Sequence, residues 1–249
     1  MTPSFSPKSR RALLWGALFM AFNGFFVARV PQAMRPELAG VSAAFVLVLW
    51  APSFWVLKMW LGWPRAALSF AVLGSFAVLI ETFAVKTGWP YGRFSYGDSI
   101  GIKYFGVVPW TVPFAWSPLV LGAWALAARW FSTKPMVGSV LLLLLFDLVL
   151  DPGAVEKKMW SYDAGGWYYG VPFSNFCGWI VSGLIGSLLL SRCCGANRSA
   201  VPLPLPLVAS ATLILAFWTS VCAFSLLWVP AIVGGALLWA IRREIQAST

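Results

Sequence analysis

Long apolar stretches broken by short polar or glycine- and proline-bearing turns set the plan of this chain. Runs extend from about Ala12 to Ala28, Ala39 to Leu61, Ala66 to Val85, Pro113 to Phe131, Met136 to Leu150 and Ser174 to Leu190. A last apolar stretch follows the proline-rich segment from Val201 to Leu207 and divides into Leu207 to Phe224 and about Val229 to Ile241, with Trp228 and Pro230 marking the turn. Crossing a bilayer core takes roughly 20 residues of helix, so the pattern predicts an all-α, polytopic integral membrane helical bundle of about eight transmembrane helices. We read residues 1–249 as one membrane domain.

Composition agrees with that plan: 60% of the 249 residues are hydrophobic and 10% are charged. The net charge of +10 would suggest nucleic acid in a soluble protein, but here the basic residues stand singly or in pairs at the ends of apolar runs, where they signal topology. The basic segment 1–11 lacks a small-x-small cleavage site after its apolar run, so helix one is read as retained. With the N-terminus inside, Lys8, Arg10, Arg11, Lys58, Arg65, Arg129, Lys134, Arg192, Arg198, Arg242 and Arg243 fall on the cytoplasmic side, against seven basic residues outside. The expected location is the cell (inner) membrane, with both termini cytoplasmic.

Histidine is absent, which removes imidazole-ligated haem and His-rich di-iron sites. Cys177, Cys193, Cys194 and Cys222 lack C-x-x-C spacing and read as small packing residues. No cofactor is expected.

The chemistry concentrates between residues 81 and 179. Asp147 and Asp151 are four residues apart and share a helix face near the foot of a Leu-rich run; Glu81 ends an earlier helix on the same side. All six tyrosines lie in the two loops that follow these acids: Tyr91, Tyr96 and Tyr104 in the first, Tyr162, Tyr168 and Tyr169 in the second. An interfacial belt would spread aromatics over both faces, whereas confinement to two loops points to a lined site. Each unit runs from a helix ending in an acid, through an aromatic-glycine loop, to G-V-(V)-P at Gly106 or Gly170. This is the mark of two parallel repeats, helices three and four against five and six, with a cavity between them.

Three carboxyls among aromatic rings permit acid chemistry on an alkene. Loss of water and crowding of like charges keep at least one carboxyl protonated near neutral pH, and ring faces stabilise cations by about 0.5–2 kcal/mol each. The candidate catalytic residues are Asp147, Asp151, Glu81 and Asn175. The candidate substrate-binding residues are Tyr91, Tyr96, Trp110, Trp116, Trp160, Tyr168, Tyr169 and Trp179. Plainer roles exist: Glu81 pairing Lys86, Asp151 ending its helix before Pro152, and Asn175 capping the next helix. Arg93 is a candidate carboxylate partner, and Asp98, Glu156 and Asp163 read as solvated loop charges.

At Glu81, the G-x-F-x-Y of Gly92 to Tyr96, G-V-V-P at Gly106, D-L-V-L-D-P at Asp147 and G-V-P-F-S-N-F-C-G-W at Gly170, the sequence resembles the CruF-type carotenoid 1,2-hydratases of membrane carotenoid biosynthesis. The resemblance implies cofactor-independent addition of water to the terminal double bond of an acyclic ψ-end, as in γ-carotene or lycopene. Its implied partners are a carotenoid, water and the bilayer, with no nucleic acid. Residues alone leave the oligomeric state open and also admit a lycopene-type cyclase that excludes water, an intramembrane prenyltransferase, a transporter, or a non-catalytic carotenoid or lipid carrier.

Overall fold

A computed structural model describes residues 3–194 and 203–248. Arg198 and the start of the proline-rich segment, both used in the topology reading, lie outside the described residues. Among the described residues the chain forms eight α-helices: α1 Pro7–Arg29, α2 Ala39–Leu61, α3 Trp63–Thr87, α4 Val112–Trp130, α5 Pro135–Glu156, α6 Phe173–Cys194, α7 Ala209–Phe224 and α8 Trp228–Ala247. Four short strands lie in the loops: β1 Phe94–Tyr96, β2 Lys103–Tyr104, β3 Val108–Pro109 and β4 Trp160–Tyr162.

Local chemistry sets the helix ends. Ser6 and Ser9 form a reciprocal capping box at the start of α1, with Pro7 in its first turn. Gly62, at φ +80, separates α2 from α3, and Gly88, in the left-handed conformation, ends α3 with its N–H on the Ala84 carbonyl at 2.7 Å.

Six helical segments are long and apolar enough to cross a membrane; α4 and α8 are not among them. For α4 the reason is composition: Pro113, Pro118, Trp116, Trp124, Trp130 and Arg129 lower its hydropathy. It packs against α2, α3, α5, α6 and α7, and every residue from Trp116 to Ala127 is buried. α8 carries Arg242, Arg243 and Glu244 near its end, and these lower its hydropathy.

The fifth helix corrects the expectation that it stops near Leu150. It continues through Pro152 to Glu156. Proline in a helix interior removes one N–H and leaves the carbonyl four residues earlier without its partner. Here that carbonyl belongs to Leu148, and the Tyr168 hydroxyl donates to it at 3.0 Å. The Cys222 thiol of α7 donates to the neighbouring Val149 carbonyl at 3.2 Å. Tertiary donors therefore replace what the proline removes, and Asp151 sits inside a continuous helix rather than at its end. Next to the interior Pro52 of α2, tertiary hydrogen bonds tie the helix to the start of α7: the Ser53 hydroxyl donates to Leu207 O at 2.6 Å, and the Ser210 hydroxyl accepts from Ser53 N at 3.0 Å.

Helices α3 to α6 form a ring in which α3 and α5 each pack against both α4 and α6. The loops that follow α3 and α5 join above this ring. β1 pairs antiparallel with β4, with Phe94 opposite Tyr162, Ser95 opposite Ser161 and Tyr96 opposite Trp160. F-S-Y thus pairs with W-S-Y about its central serine, which joins the loop after α3 to the loop after α5. The Lys157 ammonium, just past α5, donates to Ala28 O at 3.1 Å, which brings the end of α1 to the same end of the bundle as these loops.

Candidate functional site

Beneath the β1–β4 pair lies an apolar cavity of about 160 Å³. Its walls include Glu81 from α3, Asp151 from α5 and Asn175 from α6, together with Tyr91, Phe94, Tyr96, Trp116, Trp160, Tyr162 and Trp179. The paired strands deliver the aromatic residues in register. The Phe94 ring meets Tyr96 edge-on at 5.4 Å and Tyr162 at 5.7 Å, and Tyr96 meets Trp160 edge-on at 5.9 Å. Such spacings suit the aromatic quadrupole.

α3 and α5 each contribute one acid held by one tyrosine of the loop that follows. The Tyr96 hydroxyl donates to Glu81 Oε2 at 2.9 Å, and the Tyr162 hydroxyl donates to Asp151 Oδ2 at 2.8 Å. Burial, reinforced by the neighbouring carboxyls, pushes both phenols well above their ordinary range. They therefore keep their protons and act as fixed donors. Tyr91 is held protonated in the same way, chiefly by burial.

The two sides differ in what stands behind the acid. On the α5 side Asn175 is 2% exposed, and its amide donates to Asp147 Oδ2 at 2.9 Å and to Asp151 Oδ2 at 2.6 Å. One side chain thus clamps two carboxyls from successive turns of α5. Asp147 is fully buried behind the cavity wall, and its Oδ1 meets no donor among the described residues. Asn175 lies within the first turn of α6, yet its amide goes to the two acids rather than to a capping role. Aligning Pro109 with Pro172 puts Val112 opposite Asn175, so the α3 side has no such clamp.

Of the twelve residues singled out from sequence, Glu81, Asp151, Asn175, Tyr91, Tyr96, Trp116, Trp160 and Trp179 line this cavity, and Asp147 backs it. The other three lie elsewhere. Trp110 stacks edge-on against Phe114 at 5.8 Å. Tyr168 serves the Leu148 carbonyl, and the Tyr169 hydroxyl accepts from Val229 N at 3.4 Å. Arg93 forms no ion pair among the described residues, where the pairs are Lys103 with Asp98 and Arg129 with Glu244.

Sequence reasoning passed over several residues. Phe94, carried only within the G-x-F-x-Y motif, and Tyr162, named only as one of the loop tyrosines, reach the cavity through the strand pairing. Gly178 and Gly186 make α6 smooth where Tyr91 and Trp116 lie against it; a Cβ at either position would run into those rings. A small-residue stripe on a membrane helix is the sequence sign of such close packing. Gly92, at φ +93, allows the first loop to pass against Ser174, whose hydroxyl donates to Tyr91 O at 3.2 Å.

Comparison with known proteins adds two findings. A family model described as "Carotenoid biosynthesis protein" matches residues 36–241, which include every residue of this site. The bisanhydrobacterioruberin hydratase of Haloarcula japonica is 34% identical over 243 residues, covering 92% of this chain and 76% of that protein. No solved structure matches. With a family model over most of its length and a hydratase at this identity, the chain belongs to the carotenoid biosynthesis protein family, in the group of the CruF-type hydratases that its motifs resemble.

Proposed function

We propose that the protein adds water to the terminal C1–C2 double bond of an acyclic carotenoid ψ-end of the γ-carotene or lycopene type. The observation that carries this is two carboxyls, Glu81 and Asp151, on one aromatic cavity. Alkene hydration needs one group to give a proton and another to take one.

In this reading Asp151, in its neutral form, protonates C2 and leaves a tertiary cation at C1. The faces of the cavity's tryptophan, tyrosine and phenylalanine rings stabilise that cation by about 0.5–2 kcal/mol each. Water held by Glu81 attacks C1, and Glu81 accepts the proton that the water loses. The product is a tertiary alcohol. One proton has moved from Asp151 to Glu81, and its return through water resets the site. Asp147 and Asn175 hold Asp151 in place and give it a partner from which to recover its proton. Tyr96 and Tyr162 fix the two carboxyls on opposing halves of the repeat. The kinship with a carotenoid hydratase supports water, rather than ring closure, as the fate of the cation.

We also place both termini on the cytoplasmic side, because the basic residues favour that side. The acids then lie toward the outer face of the membrane.

Incubating the membrane-embedded protein with lycopene or γ-carotene in oxygen-labelled water tests the reaction. The expected product is an alcohol carrying solvent oxygen. A cyclised product without it would overturn hydration and favour a cyclase.

A further inference from the structure

The acid cavity is too small for its proposed substrate. Sites that enclose an organic ligand usually occupy about 300–1,000 Å³, against about 160 Å³ here, and a carotenoid is longer than most such ligands. Most of the polyene must lie elsewhere.

A second cavity, of about 230 Å³, adjoins the first. The two share six lining residues: Val46, Leu49, Ile100, Thr111, Met159 and Trp218. From that common wall the second cavity runs between α1 and α2, past Ala43 and Phe45, to a rim at Phe26, Leu38, Val41 and Ser42. Phe26, Leu38 and Val41 are exposed large apolar side chains at the bundle surface. Among the described residues no charged side chain lines this cavity; its polar walls are Asn23, Ser42 and Thr111. A third cavity, bounded by α1, α7 and α8, shares no residue with either and has Arg10, Arg11 and Arg242 on its walls.

We propose that the second cavity is the seat of the distal part of the polyene, and that the substrate enters sideways from the bilayer between α1 and α2, end group first. This inference rests on the hydratase reading for the identity of the ligand. Its ground is that a cavity with no charged lining residue, open at an apolar rim, stands against the acid cavity across a wall of six shared residues. Met159 stands on the shared wall, and its unbranched thioether can move aside for a passing chain. Trp218 is fixed there by α5, since Gly153 lets the indole lie directly on that helix.

The test narrows the second cavity without touching the first. Ala43→Phe fills the channel at a buried position that lines the second cavity alone, and Ser42→Trp obstructs its rim, where side chains have room to shift. Each variant is assayed in membranes with a full-length acyclic carotenoid and with farnesene, a short terpene bearing the same dimethyl-alkene end. The expected result is at least a tenfold loss of conversion for the carotenoid and less than a twofold loss for the terpene. Equal losses for both substrates in Ser42→Trp, or no loss for either, would overturn the proposal.

A second readout does not depend on turnover. Protein carrying Asp151→Asn, purified from a lycopene-producing host, should retain bound polyene, and adding Ala43→Phe or Ser42→Trp should remove most of it. Retention unchanged by both blocking substitutions would overturn the channel. Failure of the unaltered protein to hydrate either substrate would instead overturn the hydratase reading, leaving the retention experiment to judge the channel.

Discussion

Replacing Asn175 by leucine removes one amide of nearly the same size and leaves two carboxyls without their shared donor. The hydrogen bonds lost are those to Asp147 Oδ2 at 2.9 Å and to Asp151 Oδ2 at 2.6 Å, both out of contact with water. Leaving a buried acceptor unsatisfied costs about 1–3 kcal/mol. Asp151 keeps the Tyr162 hydroxyl, so its loss belongs at the low end; Asp147 keeps no donor among the described residues, so its loss belongs at the high end. The total is roughly 4 kcal/mol. If that divides evenly between folding and the chemical step, about 2 kcal/mol falls on the barrier, a slowing of about thirtyfold. The assay is the initial rate of formation of labelled alcohol in membranes, measured beside thermal inactivation of the same preparation. A rate within threefold of the unaltered protein, at normal accumulation, would refute the idea that Asn175 holds the acids for catalysis.

Asp147→Asn should leave the protein inserted and folded while reducing conversion below a hundredth; near-normal product would remove Asp147 from the mechanism. At Tyr96 and Tyr162, phenylalanine should cost about tenfold through loss of one hydroxyl to a carboxyl, and leucine should cost more because the ring face goes as well. Equal losses for phenylalanine and leucine would count against cation stabilisation. Tyr168→Phe should lower stability by about 1 kcal/mol by uncovering the Leu148 carbonyl beside Pro152, with the product unchanged. A Tyr168→Phe protein that unfolds at the same temperature would show that the helix needs no such donor.

The differences between expectation and structure have particular causes. Pro152 reads as a stop from local chemistry, because nothing in the sequence says that a tyrosine 16 residues later will supply the missing hydrogen-bond partner. Trp110, Tyr168 and Tyr169 share a loop composition with Tyr96 and Trp160, yet they point to other tasks. Composition places aromatic residues at one end of the bundle but does not assign their faces. Phe94 and Tyr162 enter the site through an antiparallel register that joins segments 66 residues apart, counted from Phe94 to Trp160. The glycines of α6 carry no chemistry of their own and matter only for the rings they admit.

Hydropathy, which each stretch of chain carries within itself, was enough to place eight helical segments with approximate ends, six of them apolar enough to cross a membrane, and the end of the bundle at which the acids gather. It also marked Glu81, Asp147 and Asp151, since a carboxyl at the end of an apolar run is expensive wherever the run finally packs. What only the tertiary structure decided is which of those acids face one another. Asp151 and Glu81 share a cavity while Asp147 stands behind it, and Asn175 spans the α5 pair. Those relations depend on helix rotation and strand register, which are set by packing between distant segments. No single segment encodes them.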